Sequence, residues 1–314
     1  MNRRCLYCTE LLPDVHPSDF HEKCCFDFFG TSAEPTLPYN LEEMAELAKK
    51  ALERSISVPG VQPKLSLSLV EEVLGASRLT VVGALGGNYI FKPPTEQFPD
   101  IPANEHITML MARAFGIETV KSSLIRMSSG ELSYITRRVD RTDSGEKTHM
   151  LDFFQILEGV DKYKSSMERI GKGLASYSAN TLLDLLRLFE ITLFSYLTGN
   201  NDMHLKNFSM IRKVRNDWVL SPAYDLLNVT IANPEDKEEL ALTMDGRKSR
   251  LKNENFLKFG RGLGLSDRQL NGVFRRFIKH KTDALSYIDK SFLSAEMKSV
   301  YKTLLLERYG TIES

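Results

Sequence analysis

The sequence predicts an α+β protein built as two lobes, strand-rich first and helical second. Three observations predict it. Residues 55 to 138 carry short apolar runs separated by Gly, Asn and Ser turns, with one helical pattern among them. Beyond residue 142 the apolar residues recur mainly at helical spacing. Between the two lies the polar stretch Thr136-Arg-Arg-Val-Asp-Arg141, which reads as a hinge. A chain of 314 residues is long enough to give both lobes a core.

Composition narrows the class. Hydrophobic residues make up 42% and charged residues 26%, ordinary values for a water-soluble globular protein. The formal net charge is zero and no basic recognition helix is evident, so direct nucleic-acid binding is not expected. No apolar run is long enough to span a bilayer, and no signal-peptide core opens the chain. The default expectation is cytoplasmic, with export by a signal-less route left open.

All four cysteines fall within the first 25 residues. Cys5-x2-Cys8 and His21-x2-Cys24 form two close pairs of soft ligands, the arrangement a tetrahedral structural Zn²⁺ site needs. A segment this short has too little apolar surface to fold without a staple. Reduced thiols packed beneath Phe26, Phe28 and Phe29 are the alternative. Residues 31 to 40 read as a linker, and Leu41 to Arg54 as a helix with acidic residues in its first turn.

The strand-rich lobe opens on Ser55-Ile-Ser57-Val-Pro-Gly60-Val-Gln62-Pro-Lys64, followed by the alternating Leu65-Ser-Leu-Ser-Leu. Such a loop can lie over phosphates through its N–H groups and a lysine, or be a plain hairpin loop. Leu79 to Val82 is a strand. After the turn Gly86-Gly87-Asn88, a second strand ends in Lys92. Asn104-Glu105 opens an amphipathic helix that stops at Gly116. Val120 to Met127 and Leu132 to Arg138 are further strands. Helices are then expected over Leu151 to Leu157, Asn180 to Leu197, Asn255 to Leu263, Asp267 to His280 and Ser294 to Tyr309.

Asn200-Asn-Asp-Met-His-Leu-Lys-Asn207 interrupts this lobe directly after its most apolar helix. Phe208 to Ile211 and Trp218 to Leu220 then form a hairpin that delivers Asp225. Phosphoryl transfer needs this set. One acid accepts the proton of the attacking hydroxyl, while an Asn oxygen and a second carboxylate hold Mg²⁺ on the nucleotide. Asp202 and Asn207 have the spacing of the protein-kinase catalytic loop. Lys92 takes the position of a phosphate-binding strand lysine, or is an exposed strand-end lysine; Glu105 is its candidate partner, or a helix-start charge favoured by the helix dipole.

In this order the motifs resemble the HipA family of bacterial serine/threonine kinases, the toxins of HipBA-type modules. The carrying residues are Ser57-Val-Pro-Gly60-Val-Gln62-Pro-Lys64, Ile90-Phe-Lys92-Pro, Asn104-Glu105, Arg138-Val-Asp140-Arg141, Asp202-x-His204-x-Lys206-Asn207 and Leu220-Ser-Pro-Ala-Tyr224-Asp225. The resemblance implies a two-lobed protein-kinase-like fold, and with the residue patterns it divides the chain into a Cys/His-rich segment over 1–30, linker and helix over 31–54, a nucleotide-binding lobe over 55–141 and a helical lobe over 142–314. It implies ATP and Mg²⁺ as cofactors, and Asp202 as base with His204 and Lys206 in the catalytic loop. Asn207 and Asp225 would hold the metal. Gly60, Gln62, Lys64 and Lys92 would face the phosphates, and Arg137 and Val139 the adenine. Ser57 matches the loop serine the family autophosphorylates, and Ser55, two residues earlier, completes a Ser-Ile-Ser pair like the Ser-x-Ser pair of HipT kinases. The short stretch ahead of the kinase core resembles HipT, the shortened kinase of HipBST modules. The implied partners are a HipB-like DNA-binding antitoxin, a HipS-like small protein and a protein substrate such as an aminoacyl-tRNA synthetase. A nucleotide-binding pseudokinase acting through a partner is the alternative.

Overall fold

The computed structural model describes residues 3–53, 64–71, 77–82, 86–142, 144–213 and 216–313. The chain divides into two units. The first comprises Met1–His106, Val120–Gly145 and Lys290–Phe292, and the second Ile107–Thr119, Glu146–Asp289 and Leu293–Ser314.

Helices α1 (Glu22–Phe29) and α2 (Leu41–Glu53) precede a five-stranded antiparallel sheet in the first unit. Its strands are β1 (Leu65–Glu71), β2 (Ser77–Val82), β3 (Tyr89–Lys92), β4 (Ser122–Arg126) and β5 (Leu132–Arg137), in the order β2-β1-β3-β5-β4. Alternation along each strand decides which side chains are buried together. Leu65, Leu67, Tyr89, Phe91 and Ile135 enter a core shared with Phe20, Phe28, Phe29 and Met44. The Cys/His-rich segment is therefore part of the sheet's own core. The stretch expected as a linker also contributes to the sheet. Thr36 N–H donates to the Ser77 carbonyl and its own carbonyl accepts from Leu79 N–H, both at 2.9 Å. On the other face, Lys92 lies opposite Tyr134, and Ser66 opposite Ile90.

The helix expected to open at Asn104-Glu105 begins three residues earlier: α3 spans Ile101–Ala114. Pro102 sits in its first turn, where a missing N–H costs nothing. Glu105 is thus in the second turn, and its role is not that of a charge at a helix start.

The second unit holds a three-stranded sheet, β6 (Met150–Asp152), β7 (Ser209–Arg212) and β8 (Trp218–Leu220), in that order. Its helices are α4 (Phe153–Ile156), α5 (Met167–Tyr177), α6 (Thr181–Thr198), α7 (Val229–Ala232), α8 (Asn253–Gly262), α9 (Asp267–Lys279), α10 (Lys281–Lys290) and α11 (Ala295–Glu313). The helix expected over Leu151 to Leu157 is corrected here. Residues 150–152 pair with β7, and only Phe153–Ile156 are helical. Asp152 is the reason: its carboxylate caps the helix by accepting from Gln155 N–H, so the backbone before it stays extended. Helices α1, α5, α7 and α10 were not expected.

Helix α6 is the spine of this unit, buried almost continuously from Leu188 to Thr198. Its one acidic residue in the first turn, Asp184, is fully buried. One carboxylate oxygen accepts from Leu220 N–H at 2.7 Å and from the Ser178 hydroxyl at 2.6 Å, which ties β8 to the helix. Asp184→Ala would leave both donors without that acceptor. We expect a loss of about 2–3 kcal/mol in urea unfolding, whereas an unchanged midpoint would remove Asp184 from this structural role.

Candidate active site

The polar loop begins where α6 ends. Gly199 adopts the left-handed conformation (φ 70°) that terminates the helix, and its carbonyl accepts from the N–H groups of Val229 and Thr230 at 3.0 and 3.1 Å. Two buried amides then fix the path. Asn200 Nδ2 donates to the Asp225 carbonyl at 3.4 Å, and Asn201 Nδ2 donates to the Glu238 carbonyl at 3.1 Å. The Asp202 carbonyl accepts from His204 N–H at 2.8 Å and from Asn207 Nδ2 at 2.9 Å. That second bond sets the Asn207 amide. Its nitrogen faces the loop and Oδ1 is left as the acceptor side. A 3-10 turn, Leu205–Asn207, leads into β7.

The Asp202 carboxylate accepts from the Tyr163 hydroxyl at 2.7 Å. Burial foremost, and then the Asp202 charge, push the Tyr163 phenol above its ordinary pKa and keep it a donor. Lys162 Nζ lies 2.8 Å from His204 Nε2. An ammonium only donates, so Nε2 accepts and a neutral ring carries its proton on Nδ1. Burial lowers the His204 pKa below 6.5; Asp202 and, more weakly, Asp225 oppose this, while Lys162 reinforces it. Both carboxylates thus act on one imidazole. Leu205 N–H donates to the Lys162 carbonyl at 3.2 Å, so backbone as well as side chains join the two loops. Lys162 and Tyr163 were not singled out in the sequence. Their only signal is a basic–aromatic pair in a polar stretch, and no spacing rule ties it to a loop some forty residues on.

Asp225 follows β8 with φ 56°, in the left-handed region that Asp tolerates better than most residues. Its neighbour Tyr224 donates its hydroxyl to the Lys206 carbonyl at 3.0 Å and bonds the Ser209 hydroxyl. Lys206 is exposed, with its ammonium 4.9 Å from the Phe154 ring centre. The loop and the segment after the hairpin are therefore held together at several points. Asn207 Oδ1 and the Asp225 carboxylate are hard oxygen donors, the type Mg²⁺ prefers.

In the first unit Lys92 Nζ pairs with Glu105 Oε1 at 2.6 Å, the side chains only 4% and 1% exposed. The ammonium also lies 5.3 Å from the Tyr134 ring centre. Arg138 binds Asp140 through two parallel bonds of 2.8 Å, and Arg141 adds a third at 2.7 Å. Burial alone would raise the Asp140 pKa, but the two guanidinium groups outweigh it and hold the carboxyl below its usual range. Arg138 also reaches the Ser66 hydroxyl at 3.2 Å, fastening this motif to β1. Arg137, expected near adenine, donates to the Phe28 carbonyl at 2.8 Å, and Val139 lies half-buried in the following turn. Lys64 stands just before β1 with its side chain exposed. Ser55, Ser57, Gly60 and Gln62 lie outside the described residues. Cys5, Cys8, His21 and Cys24 come together, their ligand atoms all within 4.8 Å of one another.

The family model for the HipA-like C-terminal domain matches residues 56–285. A Haemophilus influenzae protein named "Putative kinase" is 24% identical over 303 residues, covering 88% of this chain and 85% of its own. The serine/threonine-protein kinase toxin HipA of Shewanella oneidensis is 25% identical over 283 residues. That match covers 81% of this chain but 63% of the toxin, less than two thirds of its length. The solved complex of the Shewanella oneidensis MR-1 toxin–antitoxin system, with HipA, HipB and operator DNA, gives a TM-score of 0.68 at 22% identity. It covers 96% of this chain and 76% of that one. The Helicobacter pylori proinflammatory kinase CtkA gives 0.53 at 15% identity, covering 74% and 91%. The α+β, two-part fold is thus the fold of these kinases. Among the described residues no helix is long and apolar enough to cross a membrane.

The His204 environment makes a pH prediction. As pH falls through about 6.5, the unfolded chain protonates this histidine while the folded chain resists, so the unfolded state binds more protons and stability falls. His204→Gln removes that titration and keeps an acceptor for Lys162. The variant's urea midpoint should decline less than that of the wild type between about pH 7 and pH 5.5. Parallel declines would show that His204 does not titrate differently on folding.

Proposed function

The chain belongs to the HipA-like C-terminal domain family, and on that premise we propose that it is an ATP- and Mg²⁺-dependent protein serine/threonine kinase. The observation that carries this reading is the loop after α6. It holds a half-buried carboxylate, Asp202, in hydrogen-bond contact with a phenol, and an amide, Asn207, turned so that its oxygen is the acceptor side. Asp202 accepts the proton of the attacking hydroxyl and aligns its oxygen. Asn207 and Asp225 would hold Mg²⁺, and an ion bound there would supply charge neutralisation for the phosphoryl group donated by ATP. Lys92, fixed by Glu105, binds a phosphate oxygen. Lys206 and neutral His204 complete the loop, with Lys162 orienting the imidazole and Tyr163 the base.

Autophosphorylation on Ser55 and Ser57 is part of this proposal. Each phosphate adds about −1.5 to −2 of charge to a loop carrying Lys64, enough to displace it from nucleotide phosphates. The HipA of Shewanella oneidensis is a toxin crystallised with HipB and operator DNA, which supports a toxin role here and a HipB-like antitoxin partner. We further propose the HipT arrangement, with a HipS-like small protein as second partner and an aminoacyl-tRNA synthetase as the class of substrate.

The test is intact-mass spectrometry of dephosphorylated protein, before and after incubation with Mg-ATP, beside Asp202→Asn. Wild type should gain phosphate on Ser55 or Ser57, and the variant should lose transfer by about 10²–10⁴-fold while keeping its unfolding midpoint. Comparable phosphate on both proteins would take the base role away from Asp202. Absence of transfer by wild type to itself and to a panel of aminoacyl-tRNA synthetases would sink the kinase reading.

A further inference from the structure

The N-terminal 30 residues take no part in the proposed chemistry, yet they carry the densest set of metal-ligating side chains in the described structure. None of the four cysteines is in a disulfide. Cys5 and Cys8 bracket a tight turn closed by Thr9 N–H donating to the Cys5 carbonyl at 2.9 Å, with Thr9 itself in the left-handed region (φ 64°). His21 occupies the N-cap position of α1 and Cys24 lies in the first turn, so a spacing of three places both on one helix face.

The distances fit a metal. Zn–S bonds of ~2.3 Å and Zn–N bonds of ~2.0 Å at the tetrahedral angle separate the ligand atoms by about 3.5 to 3.8 Å. Cys8 Sγ lies 3.4 Å and Cys24 Sγ 3.8 Å from His21 Nδ1. The tautomer fits as well. His21 Nε2 lies 3.0 Å from the Leu11 carbonyl, which can only accept, so Nε2 carries the proton and Nδ1 presents its lone pair to the thiols. Cys25, next in sequence to Cys24, points elsewhere: it is buried in the apolar core near the Thr31 hydroxyl.

We propose that Cys5, Cys8, His21 and Cys24 bind one Zn²⁺, and that this ion locks the N-terminal turn onto the edge of the sheet. The turn it closes makes the edge contact. Leu124 N–H of β4 and the Ser123 hydroxyl both donate to the Leu6 carbonyl, at 3.0 and 3.2 Å. Asp27, at the other end of the cluster, pairs with Lys121 beside β4 at 2.6 Å. Four protein ligands leave no open position, so the ion is structural.

The experiment uses the full chain, purified in reducing buffer without added metal. Elemental analysis should find about one zinc per chain. Co²⁺ exchanged into the site should show the visible d–d bands and thiolate charge-transfer bands of a tetrahedral centre. Cys8→Ser and Cys24→Ser should weaken Co²⁺ binding by at least a factor of about a hundred, and Cys25→Ser should leave it unchanged. Hydrogen exchange on the stripped wild type should rise at Leu6–Glu10 and along β4. No zinc together with no Co²⁺ spectrum, or equal loss in Cys25→Ser, would overturn the site. Metal binding without any change in β4 protection would overturn the clamp.

Discussion

The left-handed turn at Gly199 fixes the origin of the loop that carries Asp202, His204, Lys206 and Asn207. A helix as apolar as α6 has to end inside the protein, where its last carbonyls need partners. A Cβ at Gly199 would stand 2.5 Å from Leu304 Cδ2 and 2.8 Å from Asn228 Oδ1, so a side chain here would be strained by the conformation and would push both neighbours aside. From that fixed point Asn200 and Asn201 spend their amides on backbone carbonyls, and the loop has little freedom left. Asp202 and Asn207 are positioned by this chain of constraints before any ligand arrives. Such fixed placement is what the proposed phosphoryl transfer would rely on.

The Lys92–Glu105 pair states the same principle in the first unit. Burying two charges is expensive, and a buried pair is poor evidence of net stability. It is good evidence of position. An ammonium held between a carboxylate and the Tyr134 ring cannot wander as a surface lysine does.

Much of this was legible in the sequence, and the failures have physical causes. The Asp202–Asn207 spacing, the strand ending in Lys92 and the hairpin before Asp225 are local patterns, and local patterns survive in one dimension. Lys162 and Tyr163 did not show because they meet His204 and Asp202 only through tertiary folding. Helix α5 was missed because Gly171 and Gly173 lower its helix propensity. Both glycines earn their place by contact: a Cβ at Gly171 would meet Leu263 at 2.3 Å, and one at Gly173 would meet Phe153 at 2.8 Å. Strand β6 is three residues long and runs directly into a capped helix, so no period could reveal it. The start of α3 was placed at Asn104-Glu105, three residues late, because the polar pair reads as a helix opening while Ile101, Pro102 and Ala103 carry no capping signal.

Both outer strands of the five-stranded sheet are covered from the same stretch of chain. Leu6 meets β4 and Thr36 runs along β2, so the first forty residues occupy hydrogen-bonding groups that would otherwise face outward. Exposed strand edges are templates for pairing with another molecule. The N-terminal segment accordingly closes off part of both edges. Without it, the Leu124 and Leu79 N–H groups of the two outer strands would lose their partners and stand open, as edge strands do when another strand can pair with them.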